Sequence, residues 1–200
     1  MSSRKLTLDD IADFRAYERE RQEFRRHIIE LKQRRRISVG PFITFVFENR
    51  DTIRFQIQEM ARVERLYSDE QIETELRIYN PLIPEPGSLS ATMFVELTSE
   101  PALREWLPRL VRVERSVHLR IGRGDDVETL PMRLDADHEA QLTREDTTSA
   151  VHYLNVTLTP AQIDRFAAEP VVLAIDHPEY RHETTLGADN ITELLTDLRS

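Results

Sequence analysis

An apolar strand runs directly into a polar-faced helix in the stretch Phe45-Val-Phe-Glu48-Asn-Arg50-Asp-Thr-Ile-Arg-Phe-Gln56-Ile-Gln58-Glu59-Met-Ala-Arg62-Val-Glu64. The strand is predicted over Phe42 to Glu48, because aromatic and β-branched residues dominate there. Asn49 or Asp51 is placed to cap the helix, which is predicted from about Thr52 to Tyr67. The helix carries more polar side chains than its own stability requires, so this stretch is the first candidate for a functional site.

A second strand, predicted over Leu89 to Leu97, repeats the spacing of the first. Both strands read Thr-x-x-x-Glu, at Thr44 to Glu48 and at Thr92 to Glu96. Side chains alternate along a strand, so the Thr and the Glu of each strand share one face. Two helices are predicted between the strands, and a connection of that length favours a right-handed parallel crossover. Parallel neighbours would place Glu48 and Glu96 side by side at their carboxyl ends, where ligands favour binding.

The remaining chain mixes helices and strands, which predicts an α+β (mixed α/β) fold. Its expected order is a long N-terminal helix, the parallel strand pair with its two-helix crossover, and a more antiparallel C-terminal sheet with helices. The further predicted helices run from Thr7 to about Arg35, from the caps Ser68, Ser99 and Thr159, and from Asp189 to the C-terminal region. The further predicted strands are a hairpin at Ser116 to Ile121 and Val127 to Leu134, and strands at Ala150 to Leu158, Val171 to Ile175 and Tyr180 to Leu186. An acidic loop or short helix is predicted at Asp135 to Thr147. A helix-rich part at residues 1–112 and an α+β part at residues 113–200 are predicted, as two domains or as one continuous domain.

Composition and charge exclude several classes of function. Of the 200 residues, 40% are hydrophobic, and the net charge is −9 with a pI of about 5.2. Binding to nucleic acids or anionic membranes needs a basic surface and is disfavoured. The absence of cysteine excludes disulfides, thiolate zinc sites, iron–sulfur ligation and a cysteine nucleophile. Neither a secretory signal nor an apolar run of roughly 20 residues is visible, so a soluble cytoplasmic protein is expected.

The polar residues of the central stretch form the main candidate site. Gln56 and Glu59 are three apart on the predicted helix and flank its apolar stripe. Clustered carboxylates can bind a hard cation, share a proton as acid and base, or pair with arginines as structural salt bridges, and all three roles stay open. The candidate ligand-binding residues are Glu48, Arg50, Gln56, Glu59, Arg62, Glu75 and Glu96.

Three histidines form an alternative metal site. His177 and His182 bracket a turn, and His152 could reach them if their strands pair. With Asp176 or Glu183 they would give a site of the two- or three-His-plus-carboxylate type. The competing interpretation is that they are turn and surface histidines, because their spacing matches no strong motif.

Basic residues are nearly all arginine, with lysine only at positions 5 and 32. The run Arg34-Arg35-Arg36 falls at the end of the predicted N-terminal helix, where cations are favoured. A solvated, capped helix end is the first interpretation of this run, and an anion or phosphate site is the second.

Several pieces of the chain carry a family resemblance: Arg34 to Gly40, Phe47 to Arg50, Gln56 to Met60, Glu75 to Asn80, Ala91 to Glu96, Val151 to Leu154 and Asp176 to Tyr180. They resemble a bacterial family of uncharacterised proteins of this length, known only as a domain of unknown function. The resemblance therefore transfers no catalytic residue. Members tend to be encoded beside rubrerythrin-like and iron–sulfur oxidoreductase proteins, which implies an accessory role in redox or oxidative-stress metabolism and those proteins as partners.

Three hypotheses about function follow. The first is an accessory protein whose central polar pocket binds a cation, a small anion or a segment of a redox partner; the cofactor is unidentified, and a divalent metal is one option. The second is a metal-assisted enzyme that uses the clustered Glu or His residues. The third is a protein-interaction module in which the same residues are structural salt bridges. A cavity with an unpaired carboxylate favours the first two, whereas complete pairing with arginines favours the third.

Overall fold

Two antiparallel sheets form the centre of the fold in a computed structural model that describes residues 4–134 and 147–199. The predicted acidic loop at residues 135–146 lies outside the described residues. The strands are β1 Arg36–Val39, β2 Ile43–Glu48, β3 Ser88–Val95, β4 Val117–Ile121, β5 Glu128–Pro131, β6 Arg133–Leu134, β7 Val151–Thr157, β8 Val171–His177 and β9 Tyr180–Thr185. The helices are α1 Phe14–Arg35, α2 Arg50–Glu64, α3 Asp69–Tyr79, α4 Glu100–Arg109, α5 Pro160–Ala168 and α6 Ala188–Leu198. The predicted α+β class is confirmed.

The strand order is β1-β2-β3-β7-β6 in the first sheet and β5-β4-β8-β9 in the second. Buried residues from the facing sides of both sheets form one apolar core, which includes Phe45, Met93 and Leu154 from the first and Leu119 and Leu173 from the second. β7 comes from the predicted second part of the chain and pairs with β3 from the first part. The two predicted parts therefore share a sheet and a core.

Side-chain caps set the starts of most helices where the sequence predicts them. Ser68 and Thr159 each accept a hydrogen bond from the backbone of their helix in a capping box, and Ser99 caps α4. The N-terminal helix starts later than predicted, because residues 8–10 form a separate 3-10 turn and Asp13 caps α1. β1 follows α1 without a loop and was not predicted.

The predicted parallel pairing of the first two long strands is wrong, because β2 and β3 are antiparallel. Ile43 lies opposite Val95, and Glu48 lies opposite Ser90. The cause is the path of the connection: α2 and α3, joined by residues 65–68, bring the chain back so that β3 begins at Ser88, beside the end of β2. The chain therefore returns to the end of β2 from which it left, and Glu48 and Glu96 lie at opposite ends of the strand pair.

Helices cover the outer face of the first sheet. A second apolar cluster forms there from Leu6, Ile53, Ile57, Leu76, Leu82 and Ile83. Because the outward side chains of β2, β3 and β7 are partly polar, this layer encloses polar groups between sheet and helices. Within the described residues, no helix combines the length and apolarity that crossing a membrane requires.

Side chains connect the free edges of the two sheets. The Tyr180 hydroxyl, on β9, donates to the backbone carbonyl of Val39 at 2.7 Å and accepts from the backbone N–H of Ile43 at 3.2 Å. Thr184 donates to the backbone carbonyl of Ser38 at 2.7 Å. β1 and β9 are thus joined without forming a regular strand ladder.

Candidate ligand-binding pocket

Glu48 is a buried carboxylate that is held by two hydroxyl groups. Thr92 Oγ1 on β3 donates to its Oε1 at 2.6 Å, and Thr52 Oγ1 on α2 donates to its Oε2 at 2.5 Å. The local sequence explains the second contact. Glu48 ends β2, Asn49 caps α2, and Thr52 lies in the first turn of α2, where its side chain is directed toward Glu48. Only 7% of Glu48 is exposed. No cationic side chain in residues 4–134 and 147–199 forms an ion pair with it.

Glu48 opens onto a cavity of about 170 Å³ between the first sheet and helices α1, α2 and α3. Aromatic and apolar side chains form most of its wall, and a lysine and a glutamine add polar groups. The lining residues are Lys32, Glu48, Ile53, Gln56, Tyr79, Leu82, Thr92, Phe94, Val151 and Tyr153. A carboxylate in a small cavity with mainly apolar and aromatic walls is typical of a site that orients a small ligand.

Tyr153 brings a second titratable group to the cavity. Its burial, the neighbouring Tyr79 and the charge of Glu48 all raise the pKa of its hydroxyl above the ordinary value. The hydroxyl therefore stays protonated at neutral pH and can donate a hydrogen bond. The pocket thus presents an acceptor, Glu48, and a donor, Tyr153, to the same space.

The nearest arginine does not neutralise Glu48. Arg35 reaches the backbone carbonyls of Phe47 and Glu48 at 3.5 Å, but its charge is matched by Asp197 at 2.7 Å and Glu193 at 2.8 Å on α6. Both interpretations of the arginine run are therefore wrong for Arg35, which is completely buried and paired. Arg34 pairs with Glu193 and Arg36 with Glu96.

Most of the other predicted residues lie outside the pocket in arginine–carboxylate pairs. Glu59 accepts two hydrogen bonds from Arg21, at 2.7 and 2.8 Å, and one from Tyr17. The bonds from Arg21, with that from Tyr17, lower the pKa of Glu59. The remaining pairs are Arg62 with Glu18 and Arg50 with Asp10.

Glu96 and Glu75 are also separate from the pocket. Glu96 accepts from Thr44 at 2.7 Å and from Arg36 at 3.2 Å, at the far end of the strand pair. Glu75 is half-buried on α3, where burial and the charge of Glu64 raise its pKa. Of the predicted site residues, the structure places Glu48 and Gln56 together in the pocket and disperses the others.

The three candidate histidines lie in separate environments. His152 Nε2 is 2.9 Å from the Thr148 hydroxyl, and His177 Nε2 is 3.1 Å from the backbone carbonyl of Val111. The His182 ring packs against Tyr180, with 4.5 Å between the ring centroids. Across the described ranges, no three His, Cys, Asp or Glu residues gather in a way that could hold a metal ion.

Sequence reasoning missed Lys32, Tyr79 and Tyr153 as pocket residues, and Thr52 as a hydrogen-bond donor to Glu48. The alternation of β7 places Tyr153 on the face opposite the buried Leu154, but which sheet face that is depends on the pairing with β3. One signal was available for Lys32, since lysine is so rare in this chain.

The chain belongs to a family of unknown function. Residues 5–198 match the family described as "Protein of unknown function (DUF3501)". The chain is also similar to a crystal structure described as a novel protein of unknown function from Burkholderia pseudomallei K96243, with 33% identity and a TM-score of 0.88 over 97% of this chain and 99% of that one. Among curated proteins, no match is found. The resemblance seen in the sequence is thus confirmed.

Proposed function

We propose that this protein binds a small organic molecule through an amine or amidinium group, with Glu48 as the anchor. One observation carries the proposal: the buried Glu48 carboxylate accepts hydrogen bonds from Thr52 and Thr92, faces a cavity, and has no cationic partner among the described residues. Removing a carboxylate from water costs several kcal/mol, roughly, unless a cation compensates. A bound cation would supply that compensation.

An organic cation fits the donor set better than a divalent metal does. Calcium takes about six to eight oxygen ligands, and magnesium also requires a nearly complete oxygen shell. The pocket contributes one carboxylate, the Gln56 amide and hydroxyl groups, among apolar and aromatic walls. Aromatic walls suit an ammonium group, which is attracted to the faces of such rings.

The test is an NMR titration of the isotope-labelled protein with n-butylamine, acetamidine, and Mg²⁺ or Ca²⁺ as comparators. We expect an organic cation to shift the backbone signals of Thr92 and Tyr153. Glu48→Gln should abolish these shifts, because the amide keeps the shape of the side chain and removes its charge. Glu96→Gln is the matched control and should leave them intact. Unchanged binding by Glu48→Gln, or shifts caused by the metals alone, would disprove the proposal.

Acid–base catalysis in the same pocket is the second candidate function. Its basis is the pairing of the Glu48 carboxylate with the protonated hydroxyl of Tyr153, which can act as base and acid toward a bound molecule. Deuterium exchange into the carbon positions of a bound compound in D₂O would reveal such proton transfer. Tyr153→Phe should slow the exchange without abolishing binding, and a rate equal to that of wild type would remove this candidate.

The proposal places this binding function in the cytoplasm, in an accessory role in redox or oxidative-stress metabolism, which the family resemblance implies. The proposed protein partners are a rubrerythrin-like protein and an iron–sulfur oxidoreductase. Co-purification of each purified partner with the full chain, with and without n-butylamine, tests this setting. Absence of complex formation under both conditions would remove the partner proposal and leave ligand binding to be judged by the titration.

A further inference from the structure

The cavity beside Glu48 also carries a positively charged side chain. Lys32, in the last turn of α1, lines the same cavity. Within the part of the chain that the structure describes, Lys32 forms no ion pair with Glu48 or with any other carboxylate. The negative Glu48 and the positive Lys32 therefore line the same cavity without forming an ion pair with each other.

This arrangement is an exception among the half-buried cations of the helical layer. The half-buried arginines of α1 and α2 pair with protein carboxylates: Arg21 with Glu59, Arg50 with Asp10, Arg54 with Glu20, and Arg62 with Glu18. The other lysine of the chain, Lys5, is also half-buried and pairs with Glu85 at 2.9 Å. Pairing is thus the rule for a half-buried cation in this layer, whereas exposed arginines such as Arg25 are solvated by water, and the half-buried Lys32 does not follow the rule.

The residue type at position 32 also differs from the rest of the chain. Arginine presents a planar fork that binds carboxylates through two hydrogen bonds, and it supplies nearly all other positive charges here. Lysine carries a compact ammonium group with three donors, which can meet a single anionic oxygen from several directions. A lysine is therefore suited to an anionic group of a ligand whose position the protein side chains do not fix.

We infer that the ligand is a small zwitterion, whose ammonium group binds Glu48 and whose carboxylate binds Lys32. The inference rests on the proposed binding function and adds the second charge. The cavity volume of about 170 Å³ equals roughly five or six water molecules at about 30 Å³ each. That space suits a molecule of amino-acid size. The rings of Tyr79 and Tyr153 supply the aromatic wall for its ammonium end and its carbon chain.

The test compares straight-chain ω-amino acids with molecules that carry one of their two charges. The probes are 3-aminopropanoate, 4-aminobutanoate and 5-aminopentanoate, each beside the alkylamine and the alkyl carboxylate of equal length. Calorimetry on the wild-type protein measures the dissociation constants. At the best-fitting length, we expect the zwitterion to bind about tenfold or more tightly than either single-charge analogue, because it makes an additional charge-assisted hydrogen bond.

Two lysine variants locate the second charge. Lys32→Met should abolish the preference for the zwitterion over the amine, because the carboxylate of the zwitterion loses its cationic partner. Lys5→Met is the matched control, because it removes the only other lysine and lies outside this cavity. It should keep the full preference.

The outcomes separate this inference from the function on which it rests. An amine that binds as tightly as its zwitterion at every length overturns the zwitterion and leaves the Glu48 anchor in place. A preference that survives in Lys32→Met overturns the role of Lys32. If none of the three kinds of probe binds to wild type, the inference and the proposed function both fail.

Discussion

The two ends of the β2–β3 strand pair make the same contact in opposite settings. At one end Thr92 donates to Glu48 at 2.6 Å, and at the other Thr44 donates to Glu96 at 2.7 Å. Glu96 has 45% of its side chain exposed and pairs with Arg36, whereas Glu48 is buried and meets no cation in the described part of the chain. The repeated spacing therefore produces one ordinary surface ion pair and one carboxylate facing a cavity.

Residue type and spacing are the same at both ends, so they do not distinguish a structural carboxylate from the candidate functional one. The distinguishing property is whether the carboxylate forms an ion pair with an arginine. An exposed ion pair contributes at most about 1 kcal/mol to stability, and its presence needs no further explanation. A buried carboxylate without a cation is unfavourable for folding, so its retention indicates a role outside stability. Four predictions test this difference between the two carboxylates.

The largest effect is expected at the arginine that lies beside Glu48 but is bound elsewhere. Arg35→Leu removes the buried cation that Asp197 and Glu193 share, although Arg34 still pairs with Glu193, and this should lower the free energy of unfolding by about 3–5 kcal/mol. Urea denaturation of the variant and of wild type measures this loss. Arg36→Leu, one residue later at the exposed end, should cost less than about 1 kcal/mol. Similar losses for the two variants would refute the distinction between the ends.

The second effect separates the two threonines. Thr92→Val removes one of the two donors to the buried Glu48 and should cost about 1–3 kcal/mol, because a buried acceptor is left unmet. In Thr44→Val, water and Arg36 still satisfy the exposed Glu96, so the cost should stay below about 1 kcal/mol. Denaturation midpoints measured in parallel give the comparison. A greater cost for Thr44→Val would contradict it.

The third prediction concerns acid stability and uses Glu59 as a paired reference. Its folded-state pKa is lowered below the ordinary value, first by the hydrogen bonds from Arg21, so its contribution is present above the unfolded pKa and is lost as the pH falls through the folded pKa. We expect about 1 kcal/mol of wild-type stability to disappear in this way below about pH 4.5. In Glu59→Gln this part of the pH dependence should be missing. Stability profiles of the two proteins that remain parallel from about pH 6 down to about pH 3 would show that the pair contributes nothing.

The smallest effect is a change in the titration of Tyr153. Burial, Tyr79 and Glu48 raise the pKa of its hydroxyl, so Glu48→Gln should lower that pKa while burial keeps it above the ordinary value. The difference in alkaline absorbance between each protein and its Tyr153→Phe counterpart isolates this hydroxyl. Glu96→Gln is the control and should not move the pKa. If the pKa of Tyr153 is the same in wild type and in the Glu48→Gln variant, the Glu48 carboxylate does not interact electrostatically with the Tyr153 hydroxyl, and the two groups do not face the same space.

Much of the fold could be predicted from local sequence signals, because caps and alternation act over a few residues. Ser68 and Thr159 mark the starts of α3 and α5, and the spacing from Thr44 to Glu48 correctly puts both on one face of β2. The direction of β3 could not be predicted in this way. It depends on how α2 and α3 fold back on each other, which is a property of tertiary packing.

The residues of the pocket were even harder to predict from local sequence signals than the direction of β3. Glu48 and Gln56 are close in sequence, and both are predicted site residues, because Glu48 ends the strand that leads directly into the helix carrying Gln56. Lys32, Tyr79 and Tyr153 come from three other elements that meet only when the sheet and the helical layer pack together. The sequence pattern of each separate element does not predict that Lys32, Tyr79 and Tyr153 line the same cavity.

The hydroxyl of Thr184 has a consequence for how separate molecules of this protein meet. A strand at the margin of a sheet exposes unpaired backbone groups that can recruit a strand from another molecule, which is the first step toward fibrous aggregates. Thr184 donates to the carbonyl of Ser38 on β1, so a side chain of the same molecule already occupies this backbone group. Part of this margin is thereby closed to intermolecular strand addition. The contact opposes aggregation most at high protein concentration, when encounters between molecules are most frequent.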